Sequence, residues 1–515
     1  MAGKITLAFH YTISAILAIL LGVPALSLLF QWIVNINDFS VSLFGRESLS
    51  LIIKSLSISI TVALMATFIG TVCGFILYKI RSTGFSAYQK LLIIPLLVSP
   101  YIFAVAWKDA FFLVFGQFAS IYSVWGVIIV HVLIFFPLVM LIIQSALGSI
   151  NSDLEEAGLM ITSFKRMVIK IIFPLIKHAI TLSFLLVLIF SLTDFSVPAF
   201  FGVRTLTTEI FTQFSAFYNY EQAIAQSIIL LLLCFTIIFF EYTYLKDASV
   251  FSLGQKGSRT RYYELTAEKK WIHLFMIFII ILAIVLPIFI LLLQSLSGNK
   301  IFLTEAFALL KTAIAKSFLL ALVGAFVISF IALSSSYAEE RLGVKSSGII
   351  LLFLFITPSI VLGIALIYFY NIPAATLIYS SPFIIILGYV GRFGFIAHKI
   401  LGNGLKQIPL SFEEAAKLSG INTFKRYTRI ILPLLLPSFI TGFVLVFILC
   451  ISELGTTIMV YPPGTELMPL KLFTISANAP QALTSTMTLI NLCVIFLFLF
   501  ILYYFSRFTK TKSWV

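Results

Sequence analysis

Residues Ser411 to Pro437 read SFEEAAKLSGINTFKRYTRIILPLLLP, a polar, charge-bearing segment lodged between two long apolar runs. Ser411 followed three residues on by Glu414 has the spacing of a capping box, so a helix is expected to start there. Gly420 then offers a break, and Lys425, Arg426 and Arg429 form a basic flank before Pro433 enters the next apolar run. The implied shape is a short helix, a turn and a membrane helix, with the basic flank on the cytoplasmic side. The same arrangement occurs at Ser152 to Pro174, SDLEEAGLMITSFKRMVIKIIFP, where Ser152 and Glu155 repeat the capping-box spacing. One offset relates the copies: 411−152, 414−155 and 433−174 are each 259.

Outward from these segments the chain is apolar. Of its 515 residues 61% are hydrophobic and 10% charged, too little polar surface for a soluble protein of this length. Runs long enough to cross about 30 Å of hydrocarbon as helices recur throughout, and the short alternating segments of a membrane β-barrel are absent. Six runs fall at about 11–34, 54–80, 89–107, 122–147, 170–194 and 225–246, and six more at about 272–294, 312–337, 346–370, 380–402, 430–452 and 484–505. The sequence therefore predicts an all-α integral membrane protein of about 12 transmembrane helices arranged as two parallel six-helix repeats, because an even number of spans starts both halves from the same side. The halves are 1–246 and 272–515, joined by a polar cytoplasmic linker at 247–271. The N-terminal apolar stretch is expected to be an uncleaved first membrane helix.

Charge sets the orientation. A net charge of +14 would suit a nucleic-acid partner in a soluble protein, but here its placement follows the positive-inside rule. With a cytoplasmic N-terminus, only Arg46, Lys54, Lys108, Arg204, Lys300, Lys311, Lys316 and Lys471 of the 34 basic residues lie outside. Both termini, the linker and both short helices are then cytoplasmic. Cys73, Cys234, Cys450 and Cys493 sit inside apolar runs without metal-ligand spacing and read as small hydrophobes.

The short helices are shaped to act as rigid knobs, small Ala415 and Ala416 allowing close approach of a partner; Glu414 either pairs with that partner or caps its own helix. Asp194 and Glu453 share the repeat position, since 453−194 is 259, near the outer ends of two spans. Acids at that depth either attract a cation at the entrance or cap a helix end. Arg392 either lines a polar path or pairs with backbone carbonyls, and it has no basic counterpart, because 392−259 leads to Leu133. His131 reads as a core histidine, Lys108-Asp109 as an interfacial helix end, Glu339-Glu340-Arg341 as a solvated flank, and Pro462-Pro463-Gly464 as a tight outer turn. No phosphate-binding G-x-x-x-x-G-K-[ST] loop, H-E-x-x-H or G-x-S-x-G is present, so no catalytic residue, metal site or cofactor is assigned and ATP hydrolysis is not expected in this chain.

Glu414-Ala415-Ala416, then Gly420, then Ile430-Ile431-Leu432-Pro433 resembles the EAA signature of membrane subunits of bacterial ABC importers. The first copy departs from it, with Ile161 at the glycine position and Glu155-Glu156-Ala157 for Glu-Ala-Ala. The fused pair of halves is similar to ferric-iron permeases and their thiamine and phosphonate relatives, as are Glu453-Leu454-Gly455-Thr456-Thr457, Pro462-Pro463-Gly464-Thr465, and Asp194-Phe195 with Pro198 and Gly202. The resemblance implies an inner-membrane permease moving ferric iron delivered by an extracytoplasmic binding protein, with two copies of a separate ATP-using subunit docked at the short helices. Thiamine, phosphonate and polyamine are alternative cargoes. A parallel-repeat secondary transporter is the competing class; it explains the spans but not the two EAA-like segments.

Overall fold

The computed structural model describes residues 2–34, 46–82, 84–115, 123–245, 262–264, 269–298 and 301–510, so most of the expected linker lies outside the described residues. Among these, ten helices are long and apolar enough to cross a membrane: His10–Val34, Glu47–Lys79, Val124–Gly148, Phe164–Thr193 and Tyr220–Glu241, then Lys269–Ser297, Ile301–Leu342, Phe383–Lys406, Tyr427–Ile451 and Gln481–Phe498. The remaining two expected spans are sharply bent. Phe85–Leu97 meets Pro100–Phe111 at 102°, and Ser346–Ile356 meets Ser359–Tyr370 at 109°. Each break falls at an X-Pro pair, Ser99-Pro100 and Thr357-Pro358, where the ring pushes the preceding residue out of the helical region; Thr357 has φ −63° and ψ 122°.

Proline also marks four spans in a gentler way. Five-residue π turns at Ala18–Gly22, Val168–Ile172, Ile281–Val285 and Tyr427–Ile431 each end two residues before a proline, Pro24, Pro174, Pro287 and Pro433. A proline in a helix lacks the N–H that would reach back four residues, and widening the preceding turn absorbs the mismatch. At Pro24 the orphaned carbonyl is that of Leu20, and the Tyr370 hydroxyl donates to it at 2.8 Å.

The repeat governs packing. Arg46–Lys79 lies along Val124–Gly148, and Ile301–Leu342 lies along Phe383–Lys406 in the second half. In the first pair the approach is set by Gly70 and Gly74: a Cβ on Gly70 would stand 2.5 Å from the Phe136 carbonyl oxygen, so only glycine fits. The opening helix of each half crosses to the other. His10 bonds Ser334 at 2.9 Å, and His273 bonds Ser82 at 2.8 Å, so the two halves are interlocked. Large apolar side chains such as Phe68 and Phe326 are exposed on the outer surface, as a lipid-facing helix requires.

Several local expectations need correction. Lys108-Asp109 is not an interfacial end: Asp109 is fully buried and accepts a 2.6 Å hydrogen bond from Ser485 of the other half. Glu339-Glu340-Arg341 is not a solvated flank. Glu339 accepts from His398 at 2.8 Å, Glu340 pairs with Lys406 at 3.2 Å, and Arg341 donates to Glu413 and to the Leu405 and Ile408 carbonyls. The Pro462-Pro463-Gly464 turn does form: Thr465 N–H donates to the Pro462 carbonyl at 3.0 Å with Gly464 at φ 77°, as a type II turn demands.

Candidate functional site

A cavity of about 210 Å³ opens where the halves meet. Both helix breaks line it, through Ser99 and Pro100 from one half and Ser359 from the other, together with Phe135, Phe190, Phe355 and Phe393. Asp194, Glu453 and Arg392 all face it, so three residues scattered over the sequence share one chamber. Non-helical backbone at membrane depth is tolerated where it borders such a space. The Thr357 carbonyl at the second break is taken up there by Arg392 Nη1 at 3.2 Å, and the Thr456 hydroxyl adds a bond to the Ser359 carbonyl at 3.2 Å.

The two acids are built alike. Asp194 ends the Phe173–Thr193 helix and accepts from Ser196 Oγ at 2.9 Å and from the Val197 N–H at 2.9 Å, capping the short Ser196–Phe200 helix. Glu453 accepts from the N–H groups of Thr456 at 2.6 Å and Thr457 at 2.9 Å. Each carboxylate thus sits on the N-terminal turn of a short helix, where backbone donors and the helix dipole favour negative charge. Asp194 has one further partner. His131 Nε2 donates to its Oδ2 at 3.1 Å, while Ser191 bonds His131 Nδ1 at 3.2 Å and fixes the ring. His131 is a buried, satisfied histidine that stands behind the cavity wall and reaches it only through its carboxylate partner.

At one end of the molecule stand the two short helices, Ser152–Ile161 and Leu410–Leu418. Neither expected capping box forms. Asn151 caps the first, its Oδ1 accepting from the Asp153 N–H at 3.1 Å, and the second begins directly after Pro409 with no side-chain cap. The glutamates are used differently. Lys79 Nζ and the Tyr263 hydroxyl both donate to Glu155, which is fully buried. In the second helix the equivalent residue is Glu413: Arg341 Nε donates to it at 2.6 Å and the Tyr337 hydroxyl at 3.4 Å. The structural register of this stretch is therefore 413−155, or 258, which aligns Glu155-Glu156-Ala157 with Glu413-Glu414-Ala415.

That shift turns Glu156, Ala157, Glu414 and Ala415 outward and Ala416 inward. Apolar tips stand beside them: Met160 is 88% exposed, Ile161 87% and Leu418 89%. Gly420 closes the second helix at φ 73°, with Ile421 N–H donating to Ala416 at 3.0 Å and Gly420 N–H to Lys417 at 3.1 Å, a Schellman motif. The first helix has no such glycine and ends at Thr162, extended, with one bond back to Gly158 at 2.9 Å.

Sequence reading missed Lys79, Tyr263, Arg341 and Glu413. Tyr263 comes from the described part of the linker, where it pairs beside Ile80: its N–H donates to Lys79 at 2.8 Å, and the Arg81 N–H donates to its carbonyl at 3.0 Å. At the opposite end, Arg204 pairs with Glu47 at 2.8 Å and Glu209 at 2.9 Å, and these two carboxylates raise the guanidinium's already high pKa further. No group of three or more metal-ligating side chains occurs among the described residues.

Two interlocked helical repeats, broken membrane helices around a central cavity and a pair of short helices at one end define the membrane component of a transporter. The chain belongs to the family of binding-protein-dependent transport system inner membrane components, whose sequence profile matches residues 66–248 and 330–511, once in each half. It is 24% identical to the Fe(3+)-transport system permease protein FbpB 2 of Haemophilus influenzae over 91% of this chain and 93% of that one. It is also 24% identical to the ferric transport system permease protein FbpB of Actinobacillus pleuropneumoniae, over 81% of this chain and 66% of that one. A shorter match of 94 residues, 29% identical and covering 18% of this chain and 36% of the relative, links it to the putative 2-aminoethylphosphonate transport system permease protein PhnV of Salmonella typhimurium. The chain is thus a multi-pass inner-membrane permease component.

Proposed function

We propose that the chain is the fused permease of an ABC importer for ferric iron, loaded by an extracytoplasmic binding protein and driven by two copies of a separate ATP-binding subunit. The observation that carries the coupling role is the pair of short helices, each anchored by a buried glutamate and each presenting an exposed apolar tip beside Glu156-Ala157 or Glu414-Ala415. An anchored helix transmits displacement, and an apolar tip seats in a partner's groove. In this reading the N- and C-termini, the linker and both short helices are cytoplasmic, and residues 1–246 and 272–515 act as the two moving halves. Asp194, Glu453 and Arg392 line the path. ATP is used only by the partner, whose differential affinity for the two cavity states supplies the drive.

Ferric iron is favoured because the relatives bearing that name align over most of the chain, whereas the phosphonate match covers less than a fifth of it. The test is uptake of radiolabelled ferric iron into vesicles holding the chain, its ATPase and its binding protein. Uptake is expected to stop on ATP depletion and survive dissipation of ion gradients. The opposite pattern would make this a secondary transporter and overturn the proposal.

A further inference from the structure

Arg392 is under-satisfied for its position. A guanidinium offers five N–H donors, yet among the described residues its one hydrogen bond is from Nη1 to the Thr357 carbonyl, and Nε is buried without a partner. Neither Asp194 nor Glu453 comes within ion-pairing distance of it, although both interact with its charge across the cavity. A cation held this way inside a membrane segment is costly unless something completes it. The acids, by contrast, are well supplied. Asp194 takes three donors and Glu453 is held by the Thr456 and Thr457 turn, so neither needs Arg392. One oxygen of each still carries a single donor, Oδ1 of Asp194 from Ser196 and Oε1 of Glu453 from Thr456.

The free Nε edge of a guanidinium matches the two oxygens of a carboxylate, phosphate or phosphonate, which it binds through paired charge-assisted hydrogen bonds. Arg392 lines the cavity with its Nε enclosed and unpartnered, so a small turn of the side chain offers an oxyanion-binding edge from one half beside spare carboxylate lone pairs from both. In the 258-residue register shared by Pro100/Pro358 and Glu155/Glu413, apolar Ile134 stands at the repeat position of Arg392 in the cavity wall, so the oxyanion has one place to sit. Resting on the reading of this cavity as the transport path, we propose that Arg392 is an oxyanion anchor and that the cargo crosses as a species carrying an oxyanion beside its cationic centre. A metal ion complexed by an oxyanion has this chemistry, and so does an ammonium-bearing phosphonate. A bare hydrated cation does not.

The test uses the full chain purified in detergent with inorganic phosphate as probe, against chloride at equal ionic strength. Saturable, phosphate-dependent thermal stabilisation is expected in the wild type. It should weaken about tenfold in Arg392→Lys, which keeps the charge but not the fork, and vanish in Arg392→Gln. Phosphate no more effective than chloride, or equally effective on Arg392→Gln, would overturn the proposal and leave water as the partner of Arg392. Size-exclusion profiles and Arg392→Lys guard against a misfolded glutamine variant. Competition distinguishes the sources: 2-aminoethylphosphonate displacing phosphate assigns the oxyanion to the cargo's own head group, and iron uptake that requires phosphate assigns it to a metal complex. Binding-protein-stimulated ATP hydrolysis by the wild-type complex is read separately, and its absence would sink the importer reading rather than the anion site alone.

Discussion

The first and second short helices solve one problem with different parts. Each must hold a buried glutamate, and each glutamate accepts a hydrogen bond from one cation and one phenol. In the second half both come from one helix, Arg341 and Tyr337 of Ile301–Leu342. In the first half the cation is Lys79, at the end of Arg46–Lys79, but the phenol is Tyr263, brought from the linker. The separations show the contrast: Tyr337 and Glu413 are 76 residues apart, Tyr263 and Glu155 108. The linker is thus a structural part of the first short helix's anchor, and its docking beside Ile80 places that phenol. The second helix needs no such aid, but it spends a glycine on its closing turn.

The largest effect should come from Lys79→Ala. It leaves Glu155 buried without its cation, a loss of about 3–5 kcal/mol for a broken buried pair. Arg341→Ala should cost less, because Glu413 keeps Arg426 at 3.9 Å and is slightly more exposed, even though the Leu405 and Ile408 carbonyls also lose their guanidinium donor. Unfolding temperatures of the two variants in one detergent measure the difference, and a larger drop for Arg341→Ala would break the comparison. Next comes Tyr263→Phe, which removes a hydrogen bond to a charged acceptor worth about 1.5–3 kcal/mol. Increased proteolysis near residue 155 with an unchanged region around 413 is the expected signature.

Gly420→Ala should cost about 1–2 kcal/mol from the left-handed backbone alone, since a Cβ there meets nothing within 4 Å. Gly420→Pro also removes the N–H donated to Lys417, and is expected to separate ATP hydrolysis from uptake while the membrane fold persists. Wild-type uptake by that variant would detach the second helix from coupling. The smallest effect is expected for Tyr337→Phe, about 0.5 kcal/mol or less, because its 3.4 Å hydrogen bond is long. Thermal shifts of equal size for Tyr263→Phe and Tyr337→Phe would remove the special role of the linker.

The duplication was legible because it is written in spacing: the 259-residue offset pairs Asp194 with Glu453, and the structure builds both as caps of short helices facing one cavity. Pro462-Pro463-Gly464 was legible because turn chemistry is local. The capping boxes misled for the converse reason. Their spacing was met, but Glu155 is claimed by partners 76 and 108 residues away, which no short window contains. An insertion of one residue then hid the match between Glu155 and Glu413. The bent spans did leave a signal in Ser99-Pro100 and Thr357-Pro358, each an X-Pro pair in mid-run, and apolar composition outweighed it. Arg392 was found as an ionisable residue at depth; its missing partner is a matter of geometry.

If the two short helices are separate docking sites of unequal construction, each should hold one ATP-binding subunit. Native mass spectrometry of the chain with its ATP-binding subunit, without nucleotide, tests it directly. Wild-type chain is predicted to carry two ATP-binding subunits, Met160→Asp and Leu418→Asp one each, and the double variant none. Two subunits retained on the double variant would contradict the account.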